Sequence, residues 1–300
     1  MRMLRRLLVS GSAAVLAGGL LVSAAAAAGH AATQRPVAHP AHRPSARFLA
    51  RARTALEKYL KDNHPTIMLT HPGALPKAAP GSTTNLDSFN WSGYADAATN
   101  KLPAFSRVSG SWVMPTVTCT PEDTITSQWV GLDGLTSQTV EQDGTIGWCF
   151  EGVPTYFTWY EMFPAGTMVV GTSLQPGDAI SASVARVSPV NYALRLTDTT
   201  HPSSSFWVTR ACAVKCLDSS AEWISERPSF AIGIAPLANY GSWLLTNAQA
   251  TFEGSPGNIA SDPSNYRITM QDATASYPLD GTSVLGGGGS SFSTTWLNSY

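Results

Sequence analysis

From about Asn85 onward, the sequence consists of short runs in which apolar and polar residues alternate, at spacings of about ten residues. Ile180 to Val187 and Tyr192 to Thr197 are two such runs, and Gly, Pro, Asn and Ser separate each run from the next. A period of two places successive side chains on opposite faces of a strand. No long helical periodicity follows residue 65. The pattern therefore predicts one all-β domain over residues 85–300, an antiparallel sandwich or barrel.

The first 32 residues have the pattern of a secretory signal peptide. Three arginines precede an Ala/Leu/Val-rich run from Leu7 to Ala28, and small residues suited to cleavage follow. A permanent membrane anchor is the alternative, but the run is weakly apolar for a spanning helix. We therefore expect residues 1–32 to be removed, and the mature protein to be secreted without stable membrane association.

Residues 33–84 form a second region, whose charge is opposite to that of the rest. Between Thr33 and Ser82 there are eight basic and two acidic residues, a net charge of +6, whereas eight basic and 18 acidic residues follow from Asn85 onward, a net charge of −10. The contrast indicates a basic propeptide that inhibits or chaperones the acidic domain and is held electrostatically, with a solvated linker as the alternative. Apolar residues at helical spacing predict one amphipathic helix, namely Phe48, Leu49, Ala52, Leu56, Tyr59 and Leu60.

Four cysteines, all in the acidic region, favour disulfides in an exported chain: Cys119, Cys149, Cys212 and Cys216. Three pairings are possible. Cys212 with Cys216 would close a local loop and leave Cys119 for Cys149. Zinc lacks support, because no CxxC pair and no histidine cluster accompanies the cysteines. We expect neither a metal nor another cofactor.

The residues of the acidic region exclude several classes of chemistry. Its one histidine, His201, precedes Pro202 in a Thr/Ser-rich turn, so a catalytic triad with a positioned imidazole lacks support. No GxGxxG or GxxxxGK[ST] motif is present to hold a dinucleotide or a phosphate. The acidic charge argues against nucleic acid as a partner. Carboxylate and carboxamide chemistry remains.

Strand parity narrows the candidate carboxylates and amides. In a regular strand, Glu141 and Gln142 face opposite sides, so only one of them can line a given cleft. Glu222 and Glu226 share one face of a later strand. Glu161 lies in a row of aromatic residues, where apolar surroundings would raise its pKa into a range that suits general acid–base catalysis.

An ordered set of motifs between about residues 88 and 252 resembles the glutamic peptidases, also called eqolisins. Together with Gln142, the motifs are NWSGY (Asn90–Tyr94), WVxP (Trp112–Pro115), WVGLDG (Trp129–Gly134), WYExFP (Trp159–Pro164), PGD (Pro176–Asp178) and AEWI (Ala221–Ile224). The resemblance implies a β-sandwich of the lectin- or concanavalin-like jelly-roll type and an acid endopeptidase that acts on polypeptides. We expect this domain to act as a monomer.

The resemblance also implies roles for individual residues. It assigns the catalytic pair to Gln142 and Glu222. The glutamate would activate water as a general base and then protonate the leaving amine, while the glutamine amide would stabilise the tetrahedral oxyanion. Trp129, the supporting acid Asp133 and Glu161 would line the substrate-binding cleft.

Two other classes of protein fit parts of the sequence. A glycoside hydrolase of the lectin-like sandwich type needs two carboxylates. Glu141 and Asp143 begin an ExDxxE pattern found in such enzymes, but Ile146 occupies the position of the closing acid. A carbohydrate-binding module would have no evident need for a removable basic segment, although three tryptophans could serve it as stacking platforms, namely Trp129, Trp159 and Trp223.

Overall fold

Two layers of β-strands form the body of the protein in the computed structural model, which describes residues 43–71, 73, 75–76, 82–98, 101–230, 233–261 and 264–300. Residues 44–300 form one compact unit. The expected signal peptide, and the part of the expected propeptide up to residue 42, lie outside the described residues. No helix in the described ranges is long and apolar enough to cross a membrane.

The front layer contains seven strands side by side, in the order β16 (Asn265–Gln271), β2 (Trp91–Ala97), β11 (Ser220–Glu226), β4 (Ile125–Leu132), β5 (Val140–Phe150), β6 (Val153–Phe163) and β7 (Met168–Gly171). The back layer contains β10 (Phe206–Ala211), β9 (Asn191–Asp198), β8 (Ala179–Arg186), β3 (Phe105–Val113), β14 (Ser242–Phe252) and β18 (Phe292–Trp296).

Short strands complete the architecture. β17 (Pro278–Thr282) pairs with both β16 and β18 and so links the two layers, and β15 (Ser255–Gly257) pairs with β14. β12 (Ser229–Phe230) and β13 (Gly233–Ile234) form a separate ribbon. The pairs between these strands are antiparallel, except that β1 (Thr83–Ser88) runs parallel to β16. The predicted antiparallel β-sandwich is confirmed.

The space between the layers is filled by the inward-facing side chains of both. Val130 and Trp223 of the front layer belong to the same buried cluster as Val108, Leu194 and Trp243 of the back layer. Successive residues alternate between this core and the outer face, as the period of two in the sequence requires.

A second apolar cluster lies on the outer face of the front layer, beneath the N-terminal helix. The predicted amphipathic helix is present as α1 (Ala46–Tyr59), and a 3₁₀ turn follows at Leu60–Asp62. Leu56 is fully buried in this cluster together with Trp148 and Trp159. The aromatic residues of the front layer are therefore covered by residues of the expected propeptide.

An extended segment, Asn63–Thr70, continues from the helix across the same face, and we call it the strap. The carbonyl of Pro65 accepts a hydrogen bond from Trp91 Nε1 at 2.9 Å. The backbone N–H of His64 donates to the carbonyl of Ser229 at 2.8 Å. The strap is thus fixed by its backbone to β2 and to β12, the short strand that follows β11.

Apolar packing holds the helix to the sheet more than charge does. Among the described residues, Arg51 with Glu151 is the one ion pair between α1 and the sandwich, and both side chains are more than half exposed. Exposed pairs stabilise a fold by about 0–1 kcal/mol. The expected electrostatic attachment is therefore a minor contribution here, because this ion pair is exposed to solvent while Leu49, Ala52 and Leu56 are buried.

Both disulfides expected from the local-loop pairing are formed. Cys212 is bonded to Cys216, and Cys119 is bonded to Cys149. The first closes a short loop after β10, and the second ties the segment before β4 to the end of β5.

Candidate active site

Side chains from four adjacent strands of the front layer form one row on its outer face. Glu222 of β11 lies opposite Gly131 of β4. Gly131 lies opposite Gln142 of β5, which in turn lies opposite Glu161 of β6. Cross-strand partners project from the same face of a sheet. The structure therefore brings both predicted catalytic residues and Glu161 to one surface, with Glu222 and Gln142 two strands apart.

The amide of Gln142 is oriented by a carboxyl group. Gln142 Nε2 donates a hydrogen bond to Glu161 Oε2 at 2.7 Å, and the Thr167 hydroxyl donates to Glu161 Oε1 at 2.8 Å. Burial raises the pKa of Glu161 to about 7, although the hydrogen bonds from Thr167 and Gln142 oppose the rise. Gln142 Oε1 is also buried and makes no hydrogen bond within the described residues. The amide is thus fixed at one end and available at the other.

Trp129 lies across the row and separates two of its members. A Cβ atom on Gly131 would approach Trp129 Cζ3 to 2.9 Å and Gln142 Cβ to 3.2 Å, so the indole fills the space that a side chain at Gly131 would need. The ring is fully buried and packs edge-on against Trp91 with 5.1 Å between ring centres. Trp129 therefore stands between Glu222 and Gln142, in the apolar cluster that the strap covers.

A second carboxyl group of β11, Glu226, is joined to this tryptophan. Trp129 Nε1 donates to Glu226 Oε2 at 2.8 Å. Burial raises the pKa of Glu226 well above its ordinary value, the hydrogen bond from Trp129 lowers it, and the nearby charge of Glu161 raises it further. Glu226 was not among the residues selected from the sequence. Its signal was present in the parity of β11, where Glu222 and Glu226 share one face.

Glu226 borders a cavity of about 10 Å³, a volume no larger than one water molecule needs. Thr167, the partner of Glu161, borders the same cavity. Two residues of the N-terminal region, Leu60 and Asn63, close it, and the remaining lining residues are Ser127, Ile146, Trp159 and Pro228. The polar groups of this face are thus shut off from polypeptide-sized ligands by the helix end and the strap.

Asp133 has a different position from the one expected. Its carboxylate is buried and accepts hydrogen bonds from the backbone N–H groups of Leu217, Asp218 and Ser219 at 2.8 to 2.9 Å. The Ser219 hydroxyl adds a fourth at 2.7 Å. These contacts hold the loop that leads into β11, so Asp133 supports the strand that carries the glutamates rather than lining the cleft.

Glu222 lies at the Asp133 end of β11. Burial raises the pKa of Glu222 well above its ordinary value, and the charge of Asp133 raises it further, while Ser220 and the backbone of Leu135 lower it. Glu222 is therefore a buried carboxyl beside the supporting loop, where burial favours its neutral form.

The features that favoured the two rival classes are divided between the two faces of the front layer. Asp143 alternates with Gln142 along β5 and points into the sandwich, where burial raises its pKa. Trp223 belongs to the core between the layers, so it offers no platform to a sugar. Trp129 and Trp159 are 0% and 3% exposed because they lie in the outer-face cluster that the N-terminal segment covers.

The outer face of the sandwich thus carries a candidate site built from carboxamide and carboxyl groups. The chain belongs to the Peptidase A4 family, whose sequence model matches residues 89–292. The resemblance to glutamic peptidases is thereby confirmed, and the protein is a glutamic-type endopeptidase.

Individual relatives agree with this assignment. The chain is 26% identical over 197 residues to aspergillopepsin-2 of Aspergillus niger. This alignment covers 58% of this chain and 68% of the relative. The crystal structure of aspergilloglutamic peptidase from Aspergillus niger is 27% identical, with a TM-score of 0.51 over 58% of this chain and 99% of that one. Scytalido-glutamic peptidase, solved with a peptide-based transition-state analogue, shares the fold at 21% identity with a TM-score of 0.55, over 69% of this chain and 98% of that one.

Proposed function

We propose that the mature protein is a secreted, acid-active endopeptidase that uses Gln142 and a glutamate of β11 to add water to a peptide bond. The observation that carries this proposal is the pair of held polar groups on the outer face of the front layer. An amide held by Glu161 and a carboxyl group held by Trp129 lie on one face of the sheet. These groups need no nucleophile other than water, because a carboxylate can accept a proton from water and return it to the leaving amine.

The glutamine supplies electrostatic stabilisation in this mechanism. One N–H of Gln142 is committed to Glu161, and the other remains for the oxyanion of the tetrahedral intermediate. Loss of a single donor of this kind costs about 3–4 kcal/mol in comparable sites. An amide is well suited to the task in acid, since it does not change its charge with pH.

Two glutamates compete for the role of proton acceptor. The AEWI motif assigns it to Glu222, whereas the contacts favour Glu226. The indole of Trp129 stands between Glu222 and Gln142, but it donates its N–H to Glu226, which borders the water-sized cavity. We therefore propose Glu226 as the general base and keep Glu222 as the alternative within the same strand.

The pKa of Glu226 fits this role only after the site opens. Burial is the largest cause of its raised pKa. Removal of the covering segment would return water to the carboxyl group, lower its pKa and yield the carboxylate that a general base requires. This supports the proposal that residues up to about 80–87 form an inhibitory propeptide.

Secretion is proposed on the pattern of the first 32 residues and on the two disulfides, which persist in oxidising compartments. The substrate class, polypeptides, is proposed from the family and from relatives that are named as peptidases.

The test is cleavage of an acid-denatured protein between about pH 2 and 7 by the processed wild type and by three variants. We expect activity only in acid, its loss in Gln142→Ala and in Glu226→Gln, and its retention in Glu222→Gln. Circular dichroism serves as the control for folding. A fully active Glu226→Gln protein beside an inactive Glu222→Gln protein would transfer the role to Glu222. Activity of both variants, or of Gln142→Ala, would refute the dyad.

A further inference from the structure

A polar groove of about 470 Å³ lies on the outer face of the back layer, on the sheet opposite the candidate active site. It is formed where outward-facing side chains of β3, β8, β9 and β14 meet. Its floor contains the small residues Gly110 and Ala182, and its walls carry hydroxyl, amide and guanidinium groups. The volume falls in the range of ligand sites in proteins, about 300–1,000 Å³.

One cross-strand row runs the length of this face. Trp207 of β10 lies opposite Arg195 of β9, which lies opposite Ser183 of β8. Ser183 lies opposite Ser109 of β3, and Ser109 lies opposite Gln249 of β14. Five strands at about 4.8 Å spacing give a row about 19 Å long. This is long enough for several pyranose rings of one chain.

A second, parallel row consists of hydroxyl groups. Thr197, Ser181, Ser111 and Thr246 are successive cross-strand partners on β9, β8, β3 and β14. The hydroxyls of Ser111 and Ser181 are 2.9 Å apart and are hydrogen-bonded to each other. The same two serines also border a neighbouring cavity of about 640 Å³, so the groove continues past the row. Paired hydroxyls can each donate and accept, which matches the hydrogen bonding of sugar hydroxyls.

An exposed tryptophan ends the first row. Trp207 is 73% exposed, and the guanidinium carbon of Arg195 lies 5.9 Å from the centre of its ring. The outer face of a sheet is polar by default, but it does not need an exposed indole, which places a large apolar ring in water. One side of the ring is steadied by the guanidinium, and the other is available for stacking.

The charged side chains that line the groove are both positive. Arg107 and Arg195 are its two charged lining residues, and neither forms an ion pair with any described residue. The region from Asn85 onward has a net charge of −10. Two arginines without acidic partners in an acidic domain favour a ligand with carboxylates, which guanidinium groups bind with paired hydrogen bonds.

We propose that this face binds an acidic polysaccharide, with Arg107 and Arg195 holding uronate carboxylates, the hydroxyl row contacting ring hydroxyls, and Trp207 stacking on one sugar. This site is separate from the peptidase site and would keep the enzyme on a polysaccharide matrix. It does not depend on which glutamate acts in catalysis.

The test is native affinity electrophoresis of the full chain in gels that contain polygalacturonate, uncharged dextran or polyglutamate. We expect polygalacturonate alone to retard the wild type. Removal of two charged contacts in Arg107→Gln/Arg195→Gln should weaken binding about tenfold or more, and Trp207→Ala should weaken it less. Arg267→Gln, which removes an arginine of β16, is the matched control and should be retarded like the wild type.

Three results would overturn the proposal. These are no retardation of the wild type by polygalacturonate, equal retardation of the double variant, and stronger retardation by polyglutamate, which would identify an acidic polypeptide as the ligand. Near-ultraviolet circular dichroism of each variant establishes that the fold is intact.

Discussion

At the scale of single residues, the hydrogen bond between Gln142 and Glu161 distinguishes positioning from proton transfer. Glu161 orients the amide that would face the substrate, while its other oxygen is held by Thr167. Both contacts need an acceptor at residue 161, whereas proton transfer would need an acid there. The two functions can therefore be separated by substitution.

We expect Glu161→Ala to lower kcat by about 10–100-fold with little change in KM, because a misplaced amide loses its alignment with the oxyanion. Glu161→Gln keeps an acceptor for the Gln142 N–H and should retain most of kcat. Steady-state kinetics of the processed proteins on a peptide substrate gives both parameters. If Glu161→Gln is as inactive as Glu161→Ala, the carboxyl proton itself takes part and the positioning role is wrong.

Part of the site at this scale follows from parity. The period of two within β5 and β11 predicts that Glu141 and Gln142 face opposite sides and that Glu222 and Glu226 share one. That Gln142, Glu161 and Glu222 lie on the same face of the sheet follows from the register between the strands, which the sequence does not give. The preference for Glu226 depends on where the Trp129 indole lies. The indole occupies the space left by the missing side chain of Gly131. This contact is a matter of packing, so the sequence of one segment does not predict it.

At the scale of elements, the strand β5 passes through a pair of residues that is common in turns. It extends from Val140 to Phe150 and includes Asp143-Gly144. The physical reason is the neighbouring strand. A Cβ atom on Gly144 would lie 2.2 Å from the Gln128 carbonyl and 2.6 Å from Trp129 Cβ, so glycine here permits close strand pairing and not a turn.

The helix α1 packs on the same face as the candidate site, and its packing can be weakened without changing a residue of the site. Leu56 is fully buried against the sheet, and such a leucine contributes about 2–5 kcal/mol over alanine. We expect Leu56→Ala to shorten the lag before the full-length protein cleaves a peptide after acidification. Progress curves recorded from the moment of the pH change measure this lag.

Lys58→Ala is the matched control, because Lys58 lies on the exposed side of the last turn of the same helix. Its lag should equal that of the wild type. Equal lags in Leu56→Ala and Lys58→Ala would mean that the packing of α1 does not limit activation. A shorter lag in Lys58→Ala alone would instead support the electrostatic attachment that the charge contrast predicts.

At the scale of the whole molecule, buried carboxyl groups make stability dependent on pH. Burial raises the pKa of Glu161 to about 7 and that of Asp280 to about 6. It raises the pKa values of further carboxyl groups well above their ordinary range, those of Glu141, Asp143, Glu222 and Glu226. In each case the folded protein holds a proton that the unfolded chain releases at lower pH.

The direction of the effect follows from this difference. The stabilising contribution is complete below the pKa of the unfolded carboxyl group, near 4, and it is lost as pH rises through the folded value. Each such group costs up to about 1.4 kcal/mol per pH unit within that window. We expect Tm to fall steadily between about pH 4 and 7, with a smaller fall in Glu161→Gln. Thermal melts at constant ionic strength test this, and a Tm that rises over the interval would contradict it.

The parallel pairing of β1 with β16 limits where the propeptide can be cut. β1 aligns six residues, Thr83 to Ser88, with Asn265 to Met270, on the side of β16 that β2 leaves free. A cut before Thr83 leaves this strand in place as the new N-terminus, with its backbone already paired. A cut after Ser88 would strip β16 of its neighbour and expose a row of unpaired N–H and C=O groups, the kind of edge that recruits strands from other molecules. The proposed maturation, if it cuts on the N-terminal side of β1, would therefore also protect the released enzyme from aggregation.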